Sequence, residues 1–311
     1  MAHHRIGWQD TVPGTCRGMA LAVGNFDGAH VGHAALVAAL VGLARRLGTP
    51  AAVLTFDPHP LALLRPEAAP VLLTTPDDRA AGLHALGADE VITLRTDTSL
   101  LDLPARGFFD AVLRGQLAAR GLCEGPNFGF GRGREGDVAL LTRLCAEADV
   151  PLEVVPWHSA GGVVVSSSRV REALAAGDVA AAAALLGRRY RLRGVVVVGA
   201  RRGRLIGFPT ANLQGAATVV PAEGVYAALA SCDGGAWPAA VNVGGNPTFG
   251  ETAVKIEAHL IGFSGDLYGG PLALDFAERL RGTRPFDGVE ALKRQLSEDV
   301  AAARRILGGA S

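Results

Sequence analysis

The chain contains 311 residues, of which 30 are basic and 30 acidic, so its formal net charge at pH 7 is zero. That length favours two domains, and apolar and charged fractions of 49% and 19% exclude a disordered chain. The balanced charge lacks the positive field typical of nucleic-acid binding, so we predict a small-molecule partner and no nucleic-acid partner.

The positions of cysteine and lysine narrow the class of protein further. The four cysteines form no CxxC pair, which predicts neither a zinc cage nor a disulfide framework. A signal pattern is absent from the first residues and no apolar run reaches about 20 residues, so we predict a cytoplasmic protein with no membrane partner. The two lysines, Lys255 and Lys293, follow no GxxxxG loop, which excludes a P-loop.

Apolar, β-branched runs alternate with helix-like runs through the first half of the chain. The pattern predicts strands at 19–23, 51–56, 90–94 and within 150–156, and helices at 34–48 and 107–119. Strand, helix and strand in that order are typical of a parallel sheet with helical crossovers. The first half is therefore predicted to be an α/β domain.

The pattern changes after about residue 187. The segment before this point predicts two short helices, broken at Gly177 and ended by Gly187. Beyond it, short strand-like runs separated by turns predict a small antiparallel barrel or sandwich, and residues 288–307 predict a last helix. We therefore predict domains at 1–186 and 187–311.

The sequence GNFDGAHVGH, residues 24–33, lies between a predicted strand and a predicted helix, where α/β folds place ligands. His30 and His33 are three residues apart at the helix start, so both rings can face one direction beside unpaired backbone N–H groups. Because helix N-termini bind phosphate readily, this favours a phosphate site over a metal site by roughly four to one. A metal would need a third ligand, such as Asp27 or His59. Two surface histidines without function are the remaining alternative.

Two further stretches indicate anion sites. The serines of VSSSRVREAL, residues 165–174, can cap a helix while Arg171 supplies a fixed positive fork. In GARRGRLIGFPTANL, residues 199–213, glycines permit close approach of the backbone to phosphate, and Thr210 and Asn212 offer oxygen ligands suited to Mg²⁺. An ordinary helix cap and a glycine-rich hairpin loop are the respective alternatives.

A third glycine-rich stretch, GRGREG at 131–136, matches the GxGxxG pattern of dinucleotide-binding proteins. It neither directly follows a predicted strand nor opens a predicted helix, as that pattern requires. We therefore assign it to a flexible loop near the site and expect no dehydrogenase activity.

Strand alternation in AVKIEAHL, residues 253–260, separates a polar face from an apolar one. Lys255, Glu257 and His259 share one face, whereas the other carries Val254, Ile256, Ala258 and Leu260. Glu257 therefore points away from the apolar face. A solvated salt bridge with Lys255 is the alternative to a catalytic role.

Several of these motifs resemble one known family. GNFDGAHVGH resembles the HxGH motif of nucleotidyltransferases related to class I aminoacyl-tRNA synthetases, in the version of their flavin-specific branch. The adenylyltransferase module of bifunctional riboflavin kinase/FAD synthetases is similar at TFDPHP (55–60), GPNFGFG (125–131) and VSSSRVREAL, although Ser168 stands where that family has threonine. Its kinase module is similar, in the same order, at PTAN (209–212), GVYA (224–227), NPTF (246–249), IEAHL (256–260), DLYG (266–269) and RLRGTRPF (279–286).

The resemblance implies a Rossmann-like parallel sheet of the HxGH nucleotidyltransferase type, followed by a six-stranded riboflavin-kinase-like barrel with a C-terminal helix. It implies catalytic roles for His30, His33, Arg171 and Glu257, with Glu257 as the base that takes the proton of the riboflavin 5′-hydroxyl. The implied ATP and phosphate contacts are Gly24, Asn25, Phe26, Asp27, Gly28, Ser166, Ser167, Ser168, Gly199, Gly203 and Gly207. The implied flavin contacts are His59, Asn127, Phe128 and Phe130, and the implied metal ligands are Thr210 and Asn212. Without the resemblance, the two phenylalanines would be assigned to the core.

The activities expected from the resemblance use ATP twice. The second domain is expected to convert riboflavin to FMN with Mg²⁺, and the first to convert FMN to FAD with release of pyrophosphate. Residues 187–311 alone are therefore expected to make FMN but not FAD. A flavin-binding protein without turnover is one alternative, opposed by the paired anion sites. A nicotinate-mononucleotide-like adenylyltransferase is another, opposed by the kinase-like half.

Overall fold

The computed structural model describes residues 1–157, 159–160, 163–199, 202–246 and 251–308. The chain divides into two compact units, Met1–Ser166 and Ser167–Ser311. This division lies ahead of the predicted boundary at 186/187, because the two short helices before the barrel belong to the second unit. The assignment of residues 167–186 to one of the two activities stays a prediction.

The first unit contains a parallel sheet with helical crossovers. Its strands are β1 (Ala2–Gly7), β2 (Ala20–Val23), β3 (Ala51–Asp57), β4 (Glu90–Arg95), β5 (Gly121–Glu124) and β6 (Leu152–Val154), followed by a small hairpin of β7 (Ser159–Ala160) and β8 (Val163–Val164). Its helices are α1 (Val31–Leu47), α2 (Pro60–Leu64), α3 (Pro76–Ala85), α4 (Thr98–Leu101), α5 (Ala105–Phe108), which continues as a π-helix over Phe109–Gln116, and α6 (Val138–Glu147). Among the described residues, the sheet order is β1-β4-β3-β2-β5-β6.

The α/β prediction for this half is confirmed, including the strands at 19–23, 51–56 and 90–94 and the helix that follows the first of them. All four residues of β2 are buried, and the core continues on both faces of the sheet. A parallel sheet buried on both faces needs strands that are apolar throughout, which is why its inner strands were recognisable in the sequence.

The edge strand β1 was not predicted, because its sequence AHHRIG is mostly polar. It pairs with β4 in parallel, and its histidines bond across that pair. His3 Nε2 lies 2.8 Å from Thr93 Oγ1, and His4 Nε2 lies 2.8 Å from Glu90 Oε2. A polar sequence of this kind is tolerated at an edge, where one side of the strand has no neighbour.

The GRGREG segment is held more firmly than the predicted flexible loop. Phe130 and Gly136 form an antiparallel bridge around it, and Glu135 Oε1 accepts a hydrogen bond of 2.8 Å from the N–H of Ala105. The segment contains a 3-10 turn at Arg132–Arg134, follows β5 at a distance and precedes α6. It therefore lacks the strand–turn–helix setting of a dinucleotide fingerprint, as predicted.

The second unit is a closed antiparallel barrel with helices before and after it. Its elements are α7 (Ser167–Ala175), α8 (Val179–Leu186), β9 (Tyr190–Val197), α9 (Arg202–Leu205), β10 (Ala211–Gln214), β11 (Gly224–Cys232), β12 (Gly235–Asn246), β13 (Glu251–Leu260), β14 (Pro271–Arg281) and α10 (Val289–Gly308). In the described part of the chain, the barrel order is β10-β13-β12-β11-β14-β9. The predicted six-stranded barrel and C-terminal helix are confirmed.

Helix α10 covers the outside of the barrel through an apolar cluster. Ala303 and Leu307 of α10 pack against Ala227 and Ala240 of the neighbouring strands β11 and β12. Both faces of these strands are therefore buried. No helix among the described residues is both long enough and apolar enough to cross a membrane.

The cysteines are all free thiols, and three of them, Cys16, Cys123 and Cys145, are buried in the first unit. Burial raises the pKa of Cys123 to about 12 and that of Cys145 to about 11. Burial also raises the pKa values of Cys16 and of the half-buried Cys232. The thiols therefore stay protonated at neutral pH.

The position of the division predicts where a stable barrel fragment must begin. Helices α7 and α8 bury Val170, Leu174, Val179 and Leu186 in the second unit. Because burial of each large apolar side chain stabilises by about 1.5–3 kcal/mol, fragment 187–311 should melt well below fragment 167–311 in circular dichroism. Equal melting temperatures would show that the barrel does not need these helices.

Candidate active sites

Helix α1 begins at the predicted histidine pair. His30 is the N-cap, and its Nδ1 accepts a hydrogen bond of 3.3 Å from the N–H of His33. In return, Nδ1 of His33 accepts a hydrogen bond of 3.2 Å from the N–H of His30. The two side chains thus cap the helix reciprocally, in the manner of a capping box.

The same bonds determine which ring nitrogens face outward. The two imidazoles stack with centroids 3.6 Å apart and planes within 11°. Because each Nδ1 accepts a hydrogen bond, the proton of each neutral ring is on Nε2. The structure therefore brings two parallel Nε2–H donors together at the positive end of a 17-residue helix, as an anion site requires.

The glycine between the histidines permits this stacking. A Cβ at Gly32 would lie 3.1 Å from both Cε1 and Nδ1 of His30, closer than side chains normally approach. The residues before the helix are strained, since Phe26 and Ala29 have φ values of 48° and 41°. Such conformations cost of the order of 1–3 kcal/mol each and persist only where the surrounding structure enforces them.

Asp27 supplies part of that enforcement. Its buried carboxylate accepts hydrogen bonds of 2.9–3.1 Å from the N–H groups of Leu73 and Thr74 and from the Thr74 hydroxyl. The same hydroxyl accepts a hydrogen bond from the N–H of Gly28. Asp27 thus joins the loop to the segment before α3, and its contact with ATP or phosphate stays a prediction.

Arg79 of α3 also stabilises the loop, through hydrogen bonds to the end of β3. The side chain is 2% exposed, and its Nη1 donates hydrogen bonds of 3.1 Å to Thr55 Oγ1 and to the carbonyl of Phe56. Thr55 in turn donates to the carbonyl of Asn25. Burial lowers the pKa of the Arg79 guanidinium, and the charges of Asp27 and Asp57 act against that shift. Sequence reasoning did not find Arg79, because nothing local distinguishes it from a surface arginine.

Glu124 is a second buried ionisable group that sequence reasoning missed. It lies at the carboxyl end of β5 and is 1% exposed. Its Oε1 accepts a hydrogen bond of 2.7 Å from the N–H of Val23, the residue before Gly24. Burial raises the pKa of the Glu124 carboxyl well above its usual range, and the Val23 hydrogen bond opposes the shift only in part.

The predicted flavin contacts differ in their burial. Phe130 is 5% exposed and belongs to the core, and its contact with flavin stays a prediction. Phe128 is half-buried and stacks on Phe130 with centroids 5.3 Å apart, while Asn127 is exposed. His59 is half-buried, and its Nδ1 accepts a hydrogen bond from the N–H of Leu61 at the start of α2. Phe128, Asn127 and His59 stay predictions.

The serine-rich motif lies at the beginning of α7, as its capping residues indicated. The helix starts at Ser167, directly after Ser166, and Ser168 is exposed while Arg171 is half-buried in the next turn. Their contact with phosphate stays a prediction.

In the second unit, Glu257 lies on the outer face of the barrel between two asparagines. Antiparallel pairing places it directly opposite Asn212 of β10 and Asn242 of β12. Side chains at such paired positions on one face are neighbours. Asn242 Nδ2 is buried and has no hydrogen-bond acceptor in the described part of the chain. The alternation predicted for β13 is confirmed at Ile256, Ala258 and Leu260, although Val254 is 60% exposed.

A contact from β13 holds the PTAN segment beside the row of paired side chains formed by Asn212, Glu257 and Asn242. His259 Nδ1 lies 2.7 Å from the carbonyl of Pro209, just before Thr210. A Cβ at Gly203 would collide with the Phe208 carbonyl, so glycine permits the close approach of these two backbone segments before Thr210. Gly199 packs against the Asn212 side chain, and Gly207 has a φ of 90°. Residues 247–249 of the NPTF motif lie outside the described residues.

Comparison with known proteins agrees with this arrangement. The family model for FAD synthetase matches residues 13–169, and that for riboflavin kinase matches residues 186–307. A bifunctional riboflavin kinase/FMN adenylyltransferase of Pseudomonas fluorescens is 39% identical over 93% of both chains. The chain belongs to this family. Its FAD synthetase domain is N-terminal and its riboflavin kinase domain is C-terminal.

Other relatives agree along the whole length of the chain. The bifunctional riboflavin kinase/FMN adenylyltransferase of Escherichia coli K12 is 36% identical and covers 94% of this chain and 93% of its own. A solved structure titled as a macrolide-efflux protein from Streptococcus pneumoniae is 28% identical, covers 98% of this chain and 99% of its own, and superposes with a TM-score of 0.87. We do not transfer the efflux title, because relatives of higher identity carry the enzyme name.

The riboflavin kinase domain also contains a cavity of about 630 Å³ between β14 and α10. The RLRGTRPF segment, which resembles the flavin side of the family, forms one wall. Within it, Arg281 pairs with the buried Asp299 through Nε at 3.0 Å and Nη2 at 2.8 Å. The guanidinium groups of Arg281 and Arg284 lie 5.5 and 5.2 Å from the centre of the Phe286 ring. The charges that line the cavity balance, since it contains three arginines and three carboxylates: Arg281, Arg284, Arg305, Glu278, Glu298 and Asp299.

The buried carboxyl of the FAD synthetase domain predicts a pH-dependent stability. Above pH 4.5 the unfolded chain releases the Glu124 proton while the folded chain retains it, so the free energy of unfolding falls as pH rises. Glu124→Gln removes this loss and should be more stable than wild type at pH 8, with a smaller difference at pH 5. One such proton changes the free energy of unfolding by at most about 1.4 kcal/mol per pH unit.

Urea unfolding followed by tryptophan fluorescence measures this difference. Replacing Trp237 of the barrel by Phe in both proteins confines the signal to Trp8 and Trp157 of the first unit. If wild type and Glu124→Gln show the same pH dependence, Glu124 is ionised in the folded protein.

Proposed function

We propose that the two domains act in sequence on one flavin. The riboflavin kinase domain transfers the γ-phosphoryl group of ATP to the 5′-hydroxyl of riboflavin, which gives FMN and ADP. The FAD synthetase domain then transfers AMP from a second ATP to FMN, which gives FAD and pyrophosphate. The observation that carries the proposal is the pair of family matches in one chain, at 13–169 and 186–307, together with bifunctional relatives along its length. We place the activity in the cytoplasm, where ATP is supplied.

In the kinase step, Glu257 is the general base. It accepts the proton of the 5′-hydroxyl while that oxygen attacks the γ-phosphorus, and the bond from this phosphorus to the ADP oxygen breaks. The outer-face position of Glu257, between Asn212 and Asn242, leaves it directed away from the apolar interior.

The residues of the PTAN segment fit a magnesium ion bound with ATP. Thr210 and Asn212 offer hard oxygen donors. These two residues would hold Mg²⁺, which when bound offsets the negative charge of the phosphates. His259 holds the Pro209 carbonyl and thereby orients the segment from β13.

In the adenylyl step, the start of α1 receives the phosphates of ATP. An FMN phosphate oxygen attacks the α-phosphorus, and the bond to the oxygen bridging the α- and β-phosphorus atoms breaks, so pyrophosphate leaves. The two Nε2–H groups of His30 and His33 stabilise the charge that develops on the departing oxygens. Gly24, Asn25, Phe26 and Gly28 form the loop around them. No covalent enzyme intermediate is needed, because positioning and charge stabilisation suffice.

The assignment of the histidines predicts separable effects on catalysis and on capping. His30→Ala and His30→Asn should each slow FAD formation by roughly 10²-fold or more, since both remove the Nε2–H donor. Only His30→Ala should lose about 1 kcal/mol of stability, because asparagine retains an N-cap acceptor. FMN formation by the same preparations is the internal control.

The flavin products, separated by chromatography after incubation with riboflavin, ATP and Mg²⁺, measure both activities. Unchanged FAD formation in both variants would show that His30 has a structural role and no catalytic one. Stoichiometric bound zinc would favour the metal alternative, and no new flavin with wild type would favour the carrier alternative.

The assignment of Glu257 predicts a loss confined to the kinase step. Glu257→Gln should slow FMN formation by on the order of 10² to 10⁴-fold, because the amide cannot accept the proton. FAD formation from added FMN should continue. Lys255→Met is the matched control: if Glu257 served only in a salt bridge with Lys255, both variants would slow FMN formation equally, and that result would contradict its role as base.

A further inference from the structure

The sheet of the FAD synthetase domain opens between β2 and β5. Backbone pairing between these strands ends at Leu21 and Leu122, whereas β2 stays paired with β3 as far as Val23. On the other side, β5 stays paired with β6 as far as Glu124. On one side of the gap the strands follow in the order β2, β3 and β4, and on the other side in the order β5 and β6. The gap is therefore the topological switch point, where open α/β sheets bind ligands.

A carboxyl group replaces the missing backbone bond at this gap. The N–H of Gly24 points to β3, where it donates to the Leu54 carbonyl at 3.0 Å. The N–H of the preceding residue, Val23, therefore points to β5, as alternation along a strand requires. There it meets Oε1 of Glu124 at 2.7 Å instead of a backbone carbonyl. The backbone carbonyl of Glu124 itself accepts a hydrogen bond from Val155 on the far side.

The first residues of the histidine loop are thus held from two sides. Thr55 of β3 donates to the carbonyl of Asn25, and Glu124 of β5 accepts from the N–H of Val23. We propose that Glu124 is a positioning residue for adenylyl transfer, whose carboxyl fixes the end of β2 and so the place of Gly24 and Asn25 at the switch point. This inference rests on the proposed adenylyl site at the start of α1.

The surroundings of Glu124 favour its neutral form. The neighbouring thiols are Cys123 on the same strand and Cys145 of α6, whose raised pKa values keep them uncharged. Glu153 of β6 and Arg46 of α1 pair with each other at the surface. The other titratable groups to consider are His30 and His33 at the beginning of α1. The charge of Arg114 acts on the pKa of Cys145, which it lowers. No positive charge among the described residues therefore forms an ion pair with the Glu124 carboxyl, in agreement with its raised pKa.

Ionisation of Glu124 would disturb the loop. A buried negative charge without a partner is unstable in an apolar environment and draws water or structural rearrangement towards itself. The neutral acid avoids this while still accepting the Val23 hydrogen bond. FAD formation should therefore decline as the pH rises and Glu124 loses its proton, and FMN formation in the other domain should not follow this decline.

The composition of the first unit limits the number of other side chains that could cause a decline in FAD formation at alkaline pH. Residues 1–166 contain no lysine and no tyrosine, the side chains that commonly titrate near pH 10. The buried thiols titrate at higher pH than usual.

The experiment uses the full chain and three variants. Glu124→Gln keeps an acceptor for Val23 but cannot ionise, Glu124→Leu removes the acceptor, and Glu153→Gln is the matched control on the adjacent strand. For each protein, kcat and KM for FAD formation from FMN and ATP are measured from pH 6 to 10, with circular dichroism as the test of folding and FMN formation as the control for the other domain. The infrared carbonyl band of a protonated carboxyl is recorded at pH 7 for wild type and Glu124→Gln.

We expect the alkaline decline in kcat for wild type and for Glu153→Gln, and its loss in Glu124→Gln. Glu124→Leu should lose roughly 10- to 100-fold in kcat at every pH, as expected for a misplaced loop, with FMN formation intact. The infrared band should be present in wild type and absent in Glu124→Gln.

Three outcomes would overturn the proposal: the same pH profile in wild type and Glu124→Gln, full FAD formation in Glu124→Leu, or a wild-type spectrum without the band. Failure of the adenylyl site itself has a different result. If the adenylyl site is not at the start of α1, the His30 variants retain FAD formation. The infrared band and the pH profiles of the Glu124 variants do not depend on that result.

Discussion

The two hydrogen bonds exchanged by His30 and His33 determine the chemistry of the first domain. They close the first turn of α1, fix both rings in one tautomer and stack them with both Nε2–H groups outward. A helix start ordinarily gives an anion backbone N–H groups alone. Here the same turn adds two side-chain donors, and it does so without the lysine that a P-loop would use. The strained residues Phe26 and Ala29, and the Asp27 and Arg79 networks that hold them, all support this turn.

The sequence indicated most of this architecture where the determining contacts are local. Apolar runs identified β2, β3 and β4, because strands buried on both faces are apolar at every position. Alternation identified β13 and the outward direction of Glu257, and glycines marked the end of α1 and of α8. The spacing of the two histidines predicted that they share a direction, since residues three apart on a helix are neighbours.

Features that depend on distant partners were not predictable in the same way. Strand β10 is four residues long and merges with a glycine-rich loop, so it becomes recognisable as a strand only through its pairing with β9 and β13. Asp27 was predicted to contact phosphate, but its partners at Leu73 and Thr74 lie in another segment. The burial of Glu124 depends on the meeting of β2, β5 and β6, which no single window of sequence contains. Phe130 was ambiguous for the same reason, since aromatic residues line both cores and ligand sites.

The state of the cysteines has a consequence for an enzyme that handles flavins. Reduced flavins pass electrons to dioxygen and give hydrogen peroxide, which oxidises thiolates to sulfenic acids far faster than it oxidises protonated thiols. Cys123 and Cys145 are buried and keep their protons well above neutral pH. The thiols in the interior of the FAD synthetase domain therefore react slowly with a by-product of its own product's redox cycle.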